Sequence, residues 1–183
     1  LKSGRNPWQD PYWYRTEVVL PKSYKGKKVW LTLNGINYRA DVWVNGRQVA
    51  DKKDIVGMFR RFKLDITGYA RAGANNCIAI KIYQVDHPGV PTPGTQLKVF
   101  GPVRGHSYDI FKDETLKISG GWDCAPVVRD RNMGIYQKVI VEATDEVLIE
   151  NPFVITTLPK STTMPMKVDT GLAKVNIKLE VRN

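Results

Sequence analysis

Apolar and polar residues alternate with a period of two through most of the chain, the spacing of extended strands that keep one face in a core. Val29, Leu31 and Leu33 alternate with Trp30 and Thr32, Ala40, Val42 and Val44 alternate with Asp41 and Trp43, and Ile78, Ile80 and Ile82 mark a third run. Asn45-Gly46, followed by Arg47-Gln48-Val49, predicts a type I′ hairpin turn because both residues tolerate positive φ. A further strand is predicted over 135–142, with Tyr136, Lys138, Ile140 and Glu142 on one face and Ile135, Val139 and Val141 on the other. Helix is scarce. The best candidate is one short turn after Asp65, with Asp65 as N-cap and Gly73 as stop. Many short strands punctuated by glycine and proline predict an all-β sandwich, and periodicity alone does not separate a jelly roll from an immunoglobulin-like topology.

The rhythm breaks between Asp86 and Gly121, where HPGVPTPG at 87–94 is dense in turn formers. Loops of that length in compact domains are functional or mobile, and this one arrives directly before Trp122 and Asp123. After Thr144 a new unit begins. Strand patterns at 147–158 and 173–181, with a turn at 160–165 between them, are too few to complete a sandwich of ~100 residues. The expected division is therefore 1–145 and 146–183.

At 183 residues the chain has the mass to bury a real core. No stretch approaches the ~18 apolar residues that cross a bilayer, so membrane insertion is not expected. The chain starts at Leu1 with no methionine and no leader-like segment, which reads as a mature or excised chain whose targeting signal is lost from view. The formal charge of +10 invites a nucleic-acid reading, but lysines and arginines are scattered along the strands and no nucleic-acid module is recognisable. No nucleic-acid partner is expected; a basic surface also suits an acidic glycan. Cys77 and Cys124 lie far apart, and His87 and His106 are isolated, so no metal and no cofactor are expected. A disulfide is not required for folding.

The segment 120–136, GGWDCAPVVRDRNMGIY, gathers an aromatic face, a carboxylate and a charge run in one loop entering a strand. Trp122 offers an apolar plane and Asp123 an acceptor, which together suit the ring face and hydroxyls of a sugar. The bland alternative is a turn whose ions pair among themselves. Arg129, Asp130 and Arg131 suit bracing: their donors can satisfy buried loop carbonyls and fix the exit into the strand at Ile135. Trp8, Trp13, Trp30 and Trp43 could also stack on a sugar, but Trp13 and Trp30 fall within strand patterns and read as packing residues. Asp113-Glu114 reads as a solvated loop pair.

This segment resembles the Gly-Trp-Asp-Trp-x-Pro…Arg-Asp…Gly-Ile-Trp stretch of the N-terminal sugar-binding domain of glycoside hydrolase family 2. Three earlier segments are similar to the same domain in the right order: WYRTEVVLP at 13–21, VWLTLNGINYRADVWVNGRQV at 29–49, and FRRFKLDIT to NNCIAIKI within 59–82. The resemblance covers about 8–145, with Cys124 where a second Trp is frequent and Tyr136 where a Trp is usual. It implies a galactose-binding-like jelly roll followed by the opening strands of an immunoglobulin-like sandwich, and a terminal β-linked sugar as partner, contacted by Asp123 and Trp122.

Retaining glycoside hydrolysis needs two carboxylates about 5 Å apart. In this family both are glutamates on a later (β/α)₈ barrel, the acid/base following an asparagine. This chain has six glutamates and no Asn-Glu dipeptide, and lacks the alternating strand and helix pattern of a barrel. The expectation is thus a non-catalytic, pocket-shaping portion of an exo-β-glycosidase with no catalytic residue of its own. An autonomous carbohydrate-binding module and a structural sandwich of a cell-surface protein stay open. The sugar and the oligomeric state are not legible; a periplasmic or secreted location is expected.

Overall fold

The structure is a computed structural model and describes residues 9–89, 108–121, 127–158 and 171–182. The strands are β1 (Tyr12–Val19), β2 (Lys28–Leu33), β3 (Ile36–Asn37), β4 (Arg39–Val44), β5 (Arg47–Ala50), β6 (Phe62–Asp65), β7 (Asn75–Tyr83), β8 (Gly134–Ile135), β9 (Val139–Thr144), β10 (Leu148–Thr157) and β11 (Lys174–Arg182). Short 3₁₀ turns at Lys22–Tyr24, Tyr108–Lys112 and Lys117–Gly120 are the helical content of the described residues. The chain divides into two compact units, Leu1–Ala143 and Thr144–Asn183.

Unit 1 is an all-β sandwich. One sheet has the order β1-β7-β4-β5 and the other β6-β2-β9, with β3 and β8 pairing separately. Their inner faces carry the alternating residues read from the sequence. Val29, Leu31 and Leu33, Ala40, Val42 and Val44, and Ile78, Ile80 and Ile82 form one core with Ile55, Phe62 and Ile66. Burying a Val, Leu or Ile side chain fully contributes about 1.5–3 kcal/mol, so register is held firmly wherever this face is covered.

The turn between β4 and β5 has φ of 52° at Asn45 and 81° at Gly46, the two positive values of a type I′ turn. Asn45 does more than turn the chain. Its amide donates to Tyr69 O at 2.8 Å and to Asn76 Oδ1 at 2.9 Å, while its Oδ1 accepts from Cys77 N at 3.0 Å. After Asp65 there is one turn rather than a helix, with Ala70 N donating to Ile66 O and Asp65 Oδ1 accepting from Thr67 N at 2.9 Å. That is the capping role expected of Asp65.

The strand predicted over 135–142 is interrupted. β8 ends at Ile135 and β9 starts at Val139, because Tyr136 N and Gln137 N both turn to the single carbonyl of Gly35. Gly35 leaves room for this crossing: a Cβ there would lie 2.6 Å from the Tyr136 ring and 2.7 Å from Gln137 Cγ. Beyond the break Val139, Val141 and Ala143 pack against the core while Ile140 is exposed, so the alternation itself holds.

Unit 2 is an antiparallel ribbon of β10 and β11 with a bulge between Glu150 and Phe153, where Asn151 takes a φ of 50°. Val175, Ile177, Leu179 and Val181 alternate with Lys174, Asn176, Lys178, Glu180 and Arg182, and Ile149 and Val154 stand opposite Val181 and Ile177. One face of the ribbon is thus apolar and exposed. The turn predicted at 160–165 lies outside the described residues.

Candidate functional site

The residues flanking the Trp122-Asp123 segment are held by a polar cluster that draws on four parts of unit 1. Asn37, at the end of β3, is fully buried. Its amide donates to Arg131 O at 3.1 Å and Asn132 O at 3.0 Å, and its Oδ1 accepts from Thr115 Oγ1 at 2.9 Å. Asn132 in turn donates to the Ser119 hydroxyl, and Val128 N donates to Ser119 O at 3.1 Å. Ser119, Thr115 and Arg131 are all buried. Each polar group here has a partner, as burial in a low-dielectric interior requires.

Arg131 has no solvent exposure and adopts a φ of 55°. Its Nε donates to Pro88 O at 2.8 Å and its Nη1 to Val128 O at 2.9 Å, so one guanidinium joins the end of β7's following loop to the 127–132 turn. Burial lowers its pKa from the ordinary arginine value, opposed by the neighbouring Asp130 carboxylate, yet such a base stays charged throughout the accessible range. Asp130 Oδ1 accepts from Asn132 N at 2.8 Å, and Met133 N donates to Asp130 O, which shapes the turn entering β8. Arg129 is half-buried beside it. The structure therefore brings Asp130 and Arg131 into the frame around the segment, whereas Trp122 and Asp123, with Cys124, lie outside the described residues.

The same frame includes residues that sequence reading passed over. Asp113 is not solvated: it is almost fully buried, accepting from His87 N and lying 2.7 Å from His87 Nδ1 through its other oxygen. Lys117 Nζ donates to Phe111 O at 2.8 Å and to Asp113 O. Just before His87, Asp86 forms a two-pronged ion pair with Arg39, and those bonds hold its carboxyl below the usual range. Asn37, Thr115, Ser119 and Asn132 carry no local signal of burial, since short polar residues in turn-rich sequence usually face water. Among the described residues there is no group of three or more His, Cys, Asp or Glu that could hold a metal ion.

Two tryptophans behave differently from one another. Trp30 is buried, with Lys63 Nζ 5.6 Å above its ring. Trp13 corrects the packing expectation: it is 59% exposed on the outward face of the four-stranded sheet, because Tyr12 and the isoleucines opposite it take the inward positions.

The sandwich and its braced turn define the class of protein, an all-β sandwich domain. Residues 5–137 match the glycosyl hydrolase 2 galactose-binding domain-like family, and the chain belongs to it. It is 34% identical over 129 residues to a mannosylglycoprotein endo-β-mannosidase of Lilium longiflorum, covering 70% of this chain and 12% of that protein. It is 29% identical over 176 residues to an exo-β-D-glucosaminidase of Amycolatopsis orientalis, covering 94% of this chain and 13% of the relative. The crystal structure of the Amycolatopsis orientalis exo-chitosanase superposes with a TM-score of 0.60 at 27% identity, over 94% of this chain and 16% of that one. The chain thus spans about an eighth of the length of these curated relatives.

Proposed function

We propose that this chain is the non-catalytic N-terminal portion of a longer family 2 exo-β-glycosidase, in which it helps to shape the pocket for the terminal sugar. The observation that carries the reading is the buried Asn37–Thr115–Ser119–Asn132–Arg131 cluster, which fixes the residues on both sides of Trp122-Asp123. A carboxylate and an indole presented from such flanks meet the requirement that a binding group be held by packed, hydrogen-bonded supports. The exo mode is supported by relatives named exo-β-D-glucosaminidase, and the small share of their length covered is in keeping with catalytic carboxylates elsewhere in the protein. Arg131 and Asp130 act here as braces, and unit 2 as the opening of an immunoglobulin-like sandwich.

The test is Asp123→Asn in the full-length enzyme. A hydrogen bond from a sugar hydroxyl to a charged group contributes about 1.5–3 kcal/mol, so kcat/KM falls by about ten-fold to a hundred-fold or more with the melting temperature unchanged. Asp130→Ala, by contrast, lowers the melting temperature and affects different substrates alike. A kinetically silent Asp123→Asn sinks the substrate-contact role.

A further inference from the structure

Across the outward face of the four-stranded sheet, strand register sets Trp13, Lys81 and Asp41 abreast on β1, β7 and β4, with Ala79 and Trp43 one row further on. The small side chain of Ala79 leaves the two indoles free to meet over β7, and their centroids lie 5.1 Å apart with planes inclined at 34°. Lys81 Nζ lies 5.4 Å from the Trp13 ring and 5.1 Å from the Tyr83 ring, and Lys52 Nζ lies 4.8 Å from the Tyr83 ring. Trp13 is therefore both exposed and held in place, so presenting its ring to a ligand costs little further ordering.

Carboxylates on this face are already engaged. Glu17 accepts from Arg15 and Asn75, Asp41 from the Tyr83 hydroxyl and Lys52 N, and Asp86 from Arg39. Among the described residues the Lys81 and Lys52 ammonium groups touch ring faces and no carboxylate. A flat apolar ring beside two cations, which outnumber the one neighbouring carboxylate, Asp41, matches a ligand that carries a ring and an anion on the same unit. We propose that this face binds a uronate-bearing polysaccharide, with a pyranose ring stacked on Trp13 and its carboxylate at Lys81 and Lys52. The mixture of charge and aromatic surface distinguishes it from the largely aliphatic face of unit 2. The inference goes beyond the terminal-sugar reading and does not rest on Asp123.

Affinity electrophoresis of this chain in gels containing polygalacturonate tests it, with neutral dextran, dextran sulfate and oligothymidylate as comparisons. The expected result is retardation by polygalacturonate and not by dextran, with the association constant reduced about ten-fold or more by Trp13→Ala, the scale of one lost ring contact. Lys81→Ala, with Lys52→Ala, gives a loss of similar size, and Trp13→Tyr, which keeps a ring, retains most of the binding. All three positions lie on the outward face and none is buried, and unchanged melting curves separate lost binding from lost fold. Absence of retardation overturns the proposal, as does retardation indifferent to Trp13→Ala. Stronger retardation by dextran sulfate or oligothymidylate in the Trp13→Ala variant also overturns it, marking plain polyanion exchange.

Discussion

Asn37 shows how much one buried amide can organise. Its three hydrogen bonds reach residues 78 to 95 positions away in sequence, to Thr115, Arg131 and Asn132. Asn37→Leu leaves two carbonyls and a hydroxyl without this partner, and the expected loss is about 2–4 kcal/mol by urea denaturation. Tyr83 makes a second prediction at this scale. Burial first, and then the Asp41 carboxylate that accepts its proton at 2.6 Å, push its pKa up to about 12 from 10.0. A pKa raised on folding favours the neutral phenol, so this stabilisation is complete below the unfolded value and is lost as pH rises toward the folded one. Absorbance titration at 295 nm should show a late-ionising tyrosine that Asp41→Asn moves downward, though not fully to the ordinary value, since burial remains. An unchanged late step in Asp41→Asn contradicts this assignment.

At the scale of elements, the interruption between β8 and β9 depends on Gly35. Gly35→Ala places a Cβ against the Tyr136 ring, whose hydroxyl is bonded to Met58 O and so is not free to swing away. The expected cost is about 1–3 kcal/mol, read as a lower denaturation midpoint, and it should be relieved in the double variant Gly35→Ala with Tyr136→Ala if the clash is its cause. The β4–β5 hairpin is sturdier to read, because positive φ at two successive residues is a local demand that Asn45-Gly46 meets. The period-two pattern likewise forecast the inward residues of β2, β4 and β7 without any knowledge of partners. The break at 136–138 was not legible, because its cause is a carbonyl about a hundred positions earlier in the chain.

For the whole molecule, the two units differ in how completely they cover their apolar surface. Unit 1 encloses its core between two sheets, whereas the ribbon of unit 2 leaves Val175, Ile177 and Val181 more than half exposed. A two-stranded ribbon is marginal alone in water. A version of the protein extended through the proposed following domain should therefore protect the amides of β10 and β11 from hydrogen exchange far more than this chain does, with little change in β4 and β7. Equal protection in both would count against unit 2 as the opening of a larger sandwich. If the proposed function is right, the chain by itself should hydrolyse no aryl β-glycoside above background, because the acid and nucleophile that the oxocarbenium-like transition state needs would lie outside it. Turnover that survives repeated purification would refute this.

Local pattern alone determined the all-β class, the inward faces of the main strands, the Asn45-Gly46 turn and, through four ordered motifs, the family. These are properties in which each residue's preference is set by its near neighbours or by the two faces of a strand. Tertiary structure decided the rest. Trp13 and Trp30 have the same strand-like setting in sequence, yet one is exposed and the other buried, since exposure depends on what covers the outer side of each sheet. Asp113 and Asn37 look like ordinary loop and strand-end residues, and only the convergence of distant segments gives them buried partners. A hydrogen bond between residues far apart leaves no periodic trace in sequence, which is why the frame around Trp122-Asp123 became visible only in three dimensions.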